Sequence, residues 1–249
     1  MGIIPIFIGF DPREASAYHV CCQSILERAS VPVAFVPLAL NLLRDYDDSG
    51  HTDGSNAFIY SRFLVPHLSR WGTQFKHAIY LDGDMLLRCD IAELWQLRRH
   101  DMGVQVVQHD YKTRFAEKYL GARNDDYPKK NWSSVMLWNN SFAENRKLTP
   151  EFVGKASGAF LHRFEWLAPE RVGALPVEWN WLVGEYPPNN EAKLHHHTLG
   201  TPCFAGYEKQ EGGDEWYKTL IRALMPLGAE NGAGTEHFGF AAPYKKVVA

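Results

Sequence analysis

Short apolar stretches alternate with longer mixed segments along the chain. Residues 3–10, IIPIFIGF, are an unbroken apolar run that stops at Asp11-Pro12. Such a run predicts a strand buried on both faces, its C-terminal end opening into a loop. Residues 14–29 follow with Tyr18, Cys22, Ile25 and Leu26 at helical spacing. Val33 to Leu38 predicts a second strand, and the polar residues 40–55 a surface loop. Residues 57–69 read as one helix with Phe58, Phe63 and Leu64 inward, perturbed near Pro66. His77 to Leu81, HAIYL, is a short strand that runs straight into Asp82-Gly83-Asp84. Residues 90–98 predict a short helix with Asp90 as N-cap and Glu93 completing a capping box.

Further along, residues 103–108 and Ser134 to Trp138 predict strands. Between them, residues 110–131 form a charged, irregular excursion long enough to cover a site. Thr149-Pro150-Glu151 starts a helix by the cap-then-proline signature. Leu194 belongs to a short strand ending in His195-His196-His197, and a helix follows near 214–224. Strands alternating with helices predict an α/β fold with a mainly parallel sheet, whose ligands bind beyond the carboxyl ends of the strands. No repeat and no Pro/Ser/Gly linker divides the chain, so residues 1–225 are expected to form one domain, with a loosely packed tail at 226–249.

Composition narrows the classes. The chain has 249 residues with 26 Lys+Arg against 29 Asp+Glu, a formal charge of −3. That balance argues against a nucleic-acid binder and a polybasic membrane anchor. No apolar run approaches the roughly 18 residues of a spanning helix. The N-terminus lacks a basic segment before Asp11, so no signal peptide is expected. Cys21, Cys22, Cys89 and Cys203 form no CxxC pair, which points away from a disulfide or cysteine–zinc scaffold and towards the cytoplasm. There is no GxGxxG, no GxxxxGK[ST], no HExxH and no GxSxG.

Asp82-Gly83-Asp84 is the most informative cluster. Two carboxylates one residue apart at a strand end can both reach one hard divalent cation. An ordinary polar turn uses the same Asp-Gly pair. Leu81 before and Met85-Leu86-Leu87 after favour the cation, because two like charges between apolar flanks are costly without one. In the histidine triplet, strand alternation puts His196 on the face of Leu194, with His195 and His197 opposite. His196 can then join the aspartates as a third ligand, and His197 stays possible because the chain bends at Gly200. Asp11, Arg13 and Glu14 lie beyond the first strand. A carboxylate there can accept from a base N–H and an arginine can neutralise phosphate, although acids in a first helical turn also suit the helix dipole. Arg62, among apolar neighbours, needs an anionic partner, either a ligand or a protein carboxylate.

Taken in order, IFIGFD, Tyr60-Ser61-Arg62, IYLDGDMLLRCDIAELW, NWSSVMLWN, LPVEWNW and HHHTLGTP span residues 6–204. This series resembles bacterial glycosyltransferases of the GT-A fold, similar to the retaining family that includes glycogenin and the lipopolysaccharide galactosyltransferases. The resemblance implies a Rossmann-like single domain with a mixed, mostly parallel sheet flanked by helices. It implies transfer of a hexose from a UDP-sugar donor to a saccharide or other hydroxyl acceptor, with retention. Asp82, Asp84 and His196 (or His197) would hold Mn2+ (or Mg2+) on the diphosphate. Asp82, Asp84 and Arg62 would form the catalytic set, with Gly9, Phe10, Asp11, Arg13, Arg62, Asp82 and Gly83 lining the donor site. Lys129 or Lys130 would add positive charge there. Two rival functions share the scaffold: a sugar nucleotidyltransferase, which normally carries a Gly-rich basic loop where this chain has GFDPRE, and a non-catalytic sugar- or nucleotide-binding protein.

Overall fold

The computed structural model describes residues 2–51, 54 and 56–225. The tail expected at 226–249 lies outside the described residues. In chain order the elements are β1 (Ile4–Gly9), α1 (Ala15–Leu26), β2 (Val33–Leu38), α2 (Val65–Leu68), β3 (His77–Leu81), β4 (Met85–Leu87) and α3 (Ile91–Gln96). They continue with β5 (Val104–Val107), β6 (Val135–Asn139), α4 (Pro150–Lys155), α5 (Gly158–His162), β7 (Val172–Leu175), β8 (Trp181–Leu182), β9 (Leu194–His196) and α6 (Gly213–Leu224).

The main sheet has six strands in the order β2-β1-β3-β6-β5-β7. It is mixed: β2, β1 and β3 run parallel, as do β5 and β7, while β6 is antiparallel to both its neighbours. Two-residue alternation divides the core into two layers. Ile4, Ile6, Ile8, Ile79 and Leu81 pack on one face with Cys21 and Ile25 of α1 and Ile91 and Leu94 of α3. Phe7, Tyr80, Met136 and Trp138 pack on the other with Phe63, Leu64, Leu161, Phe164 and Trp166. Pro37 is tolerated because β2 is an edge strand. No helix among the described residues is long and apolar enough to cross a membrane.

Two local expectations are corrected. Residues 57–69 are not one helix but a 3-10 turn at Ser61–Leu64 followed by α2, with Pro66 in its first turn. A continuous helix would set the Pro66 ring against the carbonyl of Arg62, so the helix restarts instead. Asp90 does cap α3, accepting from the Ala92 N–H at 2.9 Å, but Glu93 completes no capping box. Its carboxylate pairs with Lys193 at 2.6 Å, just ahead of β9.

A second sheet of three strands, in the order β4-β9-β8, lies next to the Asp82-Gly83-Asp84 turn. Strand β4 begins directly after Asp82-Gly83-Asp84 and pairs antiparallel with β9: Met85 opposite His196, Leu86 opposite His195, Leu87 opposite Leu194. Met85, Leu87 and Leu194 enter one apolar cluster, while Leu86 enters another with Ala17, Val20 and Trp216. His196 therefore shares the face of Leu194, as alternation requires. The parallel strands β1 and β3 end side by side, and their loops meet closely. A Cβ on Gly83 would lie 2.4 Å from the carbonyl oxygen of Gly9, and one on Gly9 would lie 2.4 Å from the Phe58 ring.

Gly83→Ala should therefore destabilise the protein by about 1–3 kcal/mol, the usual cost of overpacking against backbone. Chemical denaturation checks this; an unchanged midpoint would mean that the two strand ends are not in contact.

Candidate active site

The candidate site lies beyond the C-terminal ends of β1 and β3, where a doubly wound sheet offers its crevice. Asp82 is buried; two side chains hold its carboxylate and a third contact holds its main chain. Tyr80 donates its hydroxyl to Oδ1 at 2.6 Å, Arg62 approaches the same oxygen at 2.9 Å, and the Asp82 N–H bonds Ser134 O at 3.0 Å. Burial raises the Asp82 pKa despite the Arg62 charge. Arg62 is itself buried, donating to Ser133 O at 3.1 Å and lying over the Phe58 and Tyr80 rings. Of the two partners the sequence allowed it, the structure places a protein carboxylate beside it.

Asp84 differs. It is 7% exposed, yet its Oδ1 accepts no hydrogen bond. That oxygen faces His196 Nε2 at 3.4 Å, and Asp82 Oδ2 is 4.0 Å from the same nitrogen. One ligand atom from each of Asp82, Asp84 and His196 lies within 4.8 Å of the others. Burial acts to raise the Asp84 pKa, but the neighbouring imidazoles of His196 and His197 outweigh it and lower it. An ionised, buried, unpartnered carboxylate oxygen beside a ring nitrogen is a donor set suited to a divalent cation.

Asn180 fixes the state of that ring. Its amide nitrogen donates to Asn131 O at 3.1 Å and Ser134 Oγ at 2.9 Å. A carbonyl oxygen only accepts, so the Asn180 oxygen must face His196 Nδ1, at 2.9 Å. Nδ1 then carries a proton, and Nε2 is the ring nitrogen that faces the aspartates, the second-shell arrangement that orients metal-binding histidines. His195 points elsewhere, to Arg88 at 3.3 Å. His197 is buried, and its main-chain N–H donates to Asp84 O at 3.1 Å. Burial pushes the His195 pKa down to about 4 and that of His197 to about 3.

Asp11 is 2% exposed and fully engaged. Its Oδ1 accepts from the Arg13 N–H at 2.9 Å, and its Oδ2 from Arg13 Nη2 at 2.6 Å and the Ala57 N–H at 2.9 Å. It caps the turn Pro12–Glu14 and ties residue 57 to the end of β1. Burial opposes its ionisation, but the Arg13 bonds win and hold its pKa low. Phe10 meets Tyr18 edge-on at 5.5 Å, and Gly9 is required by the Phe58 ring. Glu14 carries the opposite charge state from Asp11. Burial, then Asp84 and Asp11, push its pKa up to about 9; Tyr119 donates to Oε1 at 3.3 Å, and the buried Oε2 is unpartnered.

The excursion at 110–131 reaches this site and is anchored there. The buried Glu185 accepts from Thr113 Oγ1 at 2.5 Å, the Arg114 N–H at 2.7 Å and Asn124 Nδ2 at 3.0 Å. Neither of its expected phosphate-binding lysines is disengaged. Lys129 donates to Arg163 O at 2.7 Å and Lys130 to Asn124 Oδ1 at 2.7 Å. Sequence reasoning did not single out Tyr80 or Asn180. Tyr80 sits in the quoted IYLDGD and Asn180 in LPVEWNW, but only the fold brings each to its partner.

Sheet order and this cluster define a GT-A-type fold. Solved structures that share it include the WbbM bifunctional glycosyltransferase in its apo form, with a TM-score of 0.62 at 18% identity over 88% of this chain and 49% of that one. The galactosyltransferase LgtC in complex with donor and acceptor sugar analogues gives 0.56 at 13% identity over 92% of this chain and 99% of its own. The apo-form glycosyltransferase GlyE of Streptococcus pneumoniae TIGR4 gives 0.56 at 13% over 90% of this chain and 61% of its own. No family model matches the chain. Protein CDI of Arabidopsis thaliana is 40% identical over 224 residues, 86% of this chain and 85% of that protein, and the chain belongs to its family.

Two outcomes follow from the geometry. His196→Ala should sharply reduce manganese affinity while His195→Ala leaves it near wild type, and Asn180→Ala should lower it about 10–100-fold. Titration of Mn2+ followed by electron paramagnetic resonance distinguishes them; full retention in His196→Ala would remove the histidine from the ligand set. For Glu14, the folded state keeps a proton that the unfolded state releases above about 4.5. Folding then binds a proton, so wild-type stability should fall as pH rises from about 4.5 towards 9. Glu14→Gln should flatten that slope in metal-free thermal melts, whereas parallel profiles would place Glu14 in an ionised state.

Proposed function

We propose that the protein is a metal-dependent glycosyltransferase that moves a hexose from a UDP-sugar to a hydroxyl acceptor, with retention. The observation that carries this reading is the orphaned Asp84 Oδ1 facing the Nε2 of His196, with Asp82 completing the set. Asp82, Asp84 and His196 would hold Mn2+ or Mg2+, which as a Lewis acid neutralises charge developing on a departing diphosphate. The neighbouring glycosyltransferase structures share the fold, and one of them holds donor and acceptor sugar analogues.

The chain's own residues do the rest. Arg62 and Tyr80 keep the buried Asp82 carboxylate in place, so it needs no reorganisation when a ligand arrives. Gly9 at the end of β1 and Phe10, Asp11 and Arg13 in the loop beyond it line the place where the base of the nucleotide is assigned. Gly83 lets that loop and the metal-binding turn touch. A cytoplasmic setting, expected from cysteine usage, belongs to the same proposal.

Incubation with Mn2+ and a panel of nucleotide sugars should give slow release of the nucleoside diphosphate without added acceptor, with UDP-hexoses preferred. Asp84→Asn should abolish that turnover while the circular dichroism spectrum is unchanged, because only one anionic ligand atom is removed. Release of pyrophosphate from a nucleoside triphosphate plus sugar phosphate would identify a nucleotidyltransferase instead. Tight nucleotide-sugar binding without turnover would identify a binding protein.

A further inference from the structure

Within the 110–131 excursion, residues 116–124 form a short hook that docks onto the loop following the histidines. Glu117 bridges to Arg123, and the Lys118 N–H donates to Ala122 O at 2.8 Å. The turn between them needs left-handed backbone at Leu120 (φ 56°) and Gly121 (φ 71°). Tyr119 fastens the hook from three sides. Its N–H donates to Leu199 O at 2.8 Å, its ring stacks on Phe204 at 4.6 Å, and its hydroxyl reaches Glu14. Gly200 leaves the room for this, since a Cβ there would lie 2.9 Å from that of Tyr119.

The residue this hook presents is Lys118. Its ammonium has one hydrogen-bond partner among the described residues, Thr198 Oγ1, at the long distance of 3.4 Å. An ammonium has three donors, so two are unmet. The charges of Asp84 and Asp82 act on it, yet it forms no ion pair with either. Burial lowers its pKa first, Lys130 lowers it further, and the two aspartates act in the opposite direction. A half-buried cation with two donors that the chain does not use, which feels the charge of two carboxylates but pairs with neither, is a site for anionic oxygens arriving between them.

We propose that Lys118 is the cationic group that binds the phosphate oxygens of the donor nucleotide, opposite the aspartate–histidine cluster. This rests on the nucleotide-sugar reading of the same site. The site then clamps its anionic ligand from two sides, and the hook supplies the second side already in place, with little ordering cost on binding.

Calorimetry with Mn2+ and UDP, GDP, CDP and uridine, on wild type, Lys118→Met and Lys118→Arg, tests the assignment. Lys118→Met should weaken UDP binding about ten- to hundredfold, the range of a charge-assisted hydrogen bond, and leave uridine unchanged. Lys118→Arg should recover most of the loss. Mn2+ alone should bind Lys118→Met as tightly as wild type or more tightly, since a repelling cation has gone, an opposite sign that misfolding cannot produce. Wild-type UDP affinity in Lys118→Met overturns the inference and leaves the nucleotide site standing. Lys118-dependent binding of GDP or CDP but not UDP supports the inference and overturns the uridine assignment. No binding of any nucleoside diphosphate by wild type overturns both.

Discussion

The antiparallel pairing of β4 with β9 is the constraint on which the site depends. Strand β4 starts one residue after the Asp-Gly-Asp turn, so the register Met85–His196 sets an imidazole beside two carboxylates more than a hundred residues away in sequence. A slip of one residue would turn His196 to the other face and bring His195 or His197 in its place. Apolar packing forbids the slip. Met85, Leu87 and Leu194 are committed to the cluster under the main sheet, and Leu86 to the one formed with α1 and α6. The turn that leads into β8 adds Asn180 from the far side, which orients the ring that the register delivers.

Around that pairing, the fold gathers four acids and treats each differently. Asp11 is neutralised by Arg13, and Asp82 by Arg62 with a hydrogen bond from Tyr80. Glu14 is kept protonated by burial and by its acidic neighbours. Asp84 is held in its ionised form like Asp11, but without an arginine beside it, and its buried Oδ1 accepts no hydrogen bond among the described residues. Burying like charges together is costly without compensation, and three of the four are compensated within the chain. What remains is a donor set, Asp84 with His196, whose chemistry suits a cation.

Much of this was legible in the sequence because local chemistry and pattern agreed there. The unbroken apolar runs at β1 and β3 marked buried strands, and the acids that follow β3 marked the end of the sheet where Asp82, Asp84 and His196 gather. Alternation along Leu194-His195-His196 favoured His196 and left His197 open, and it is His196 that the fold brings beside the two aspartates. Elsewhere the signal was too short or belonged to long-range contacts. Strands β4 and β8 hold three and two residues, below any periodicity. The antiparallel setting of β6 depends on its neighbours, not on its residues. Pro66 splits a segment whose apolar spacing was otherwise helical. The partners of Glu93, Arg62 and Lys130 were invisible, because each is chosen by a residue distant in sequence or by a local carbonyl that only the folded chain aims.

A crystal grown with Mn2+ and diffracted at wavelengths on either side of the manganese edge tests the central claim most directly. The account predicts one anomalous peak at the mouth of β3, bonded to an Asp84 oxygen and to Nε2 of His196, with Asp82 in the coordination sphere and Asn180 still accepting from Nδ1. A peak held by other residues, or His196 bound through Nδ1 with Asn180 turned away, would contradict it.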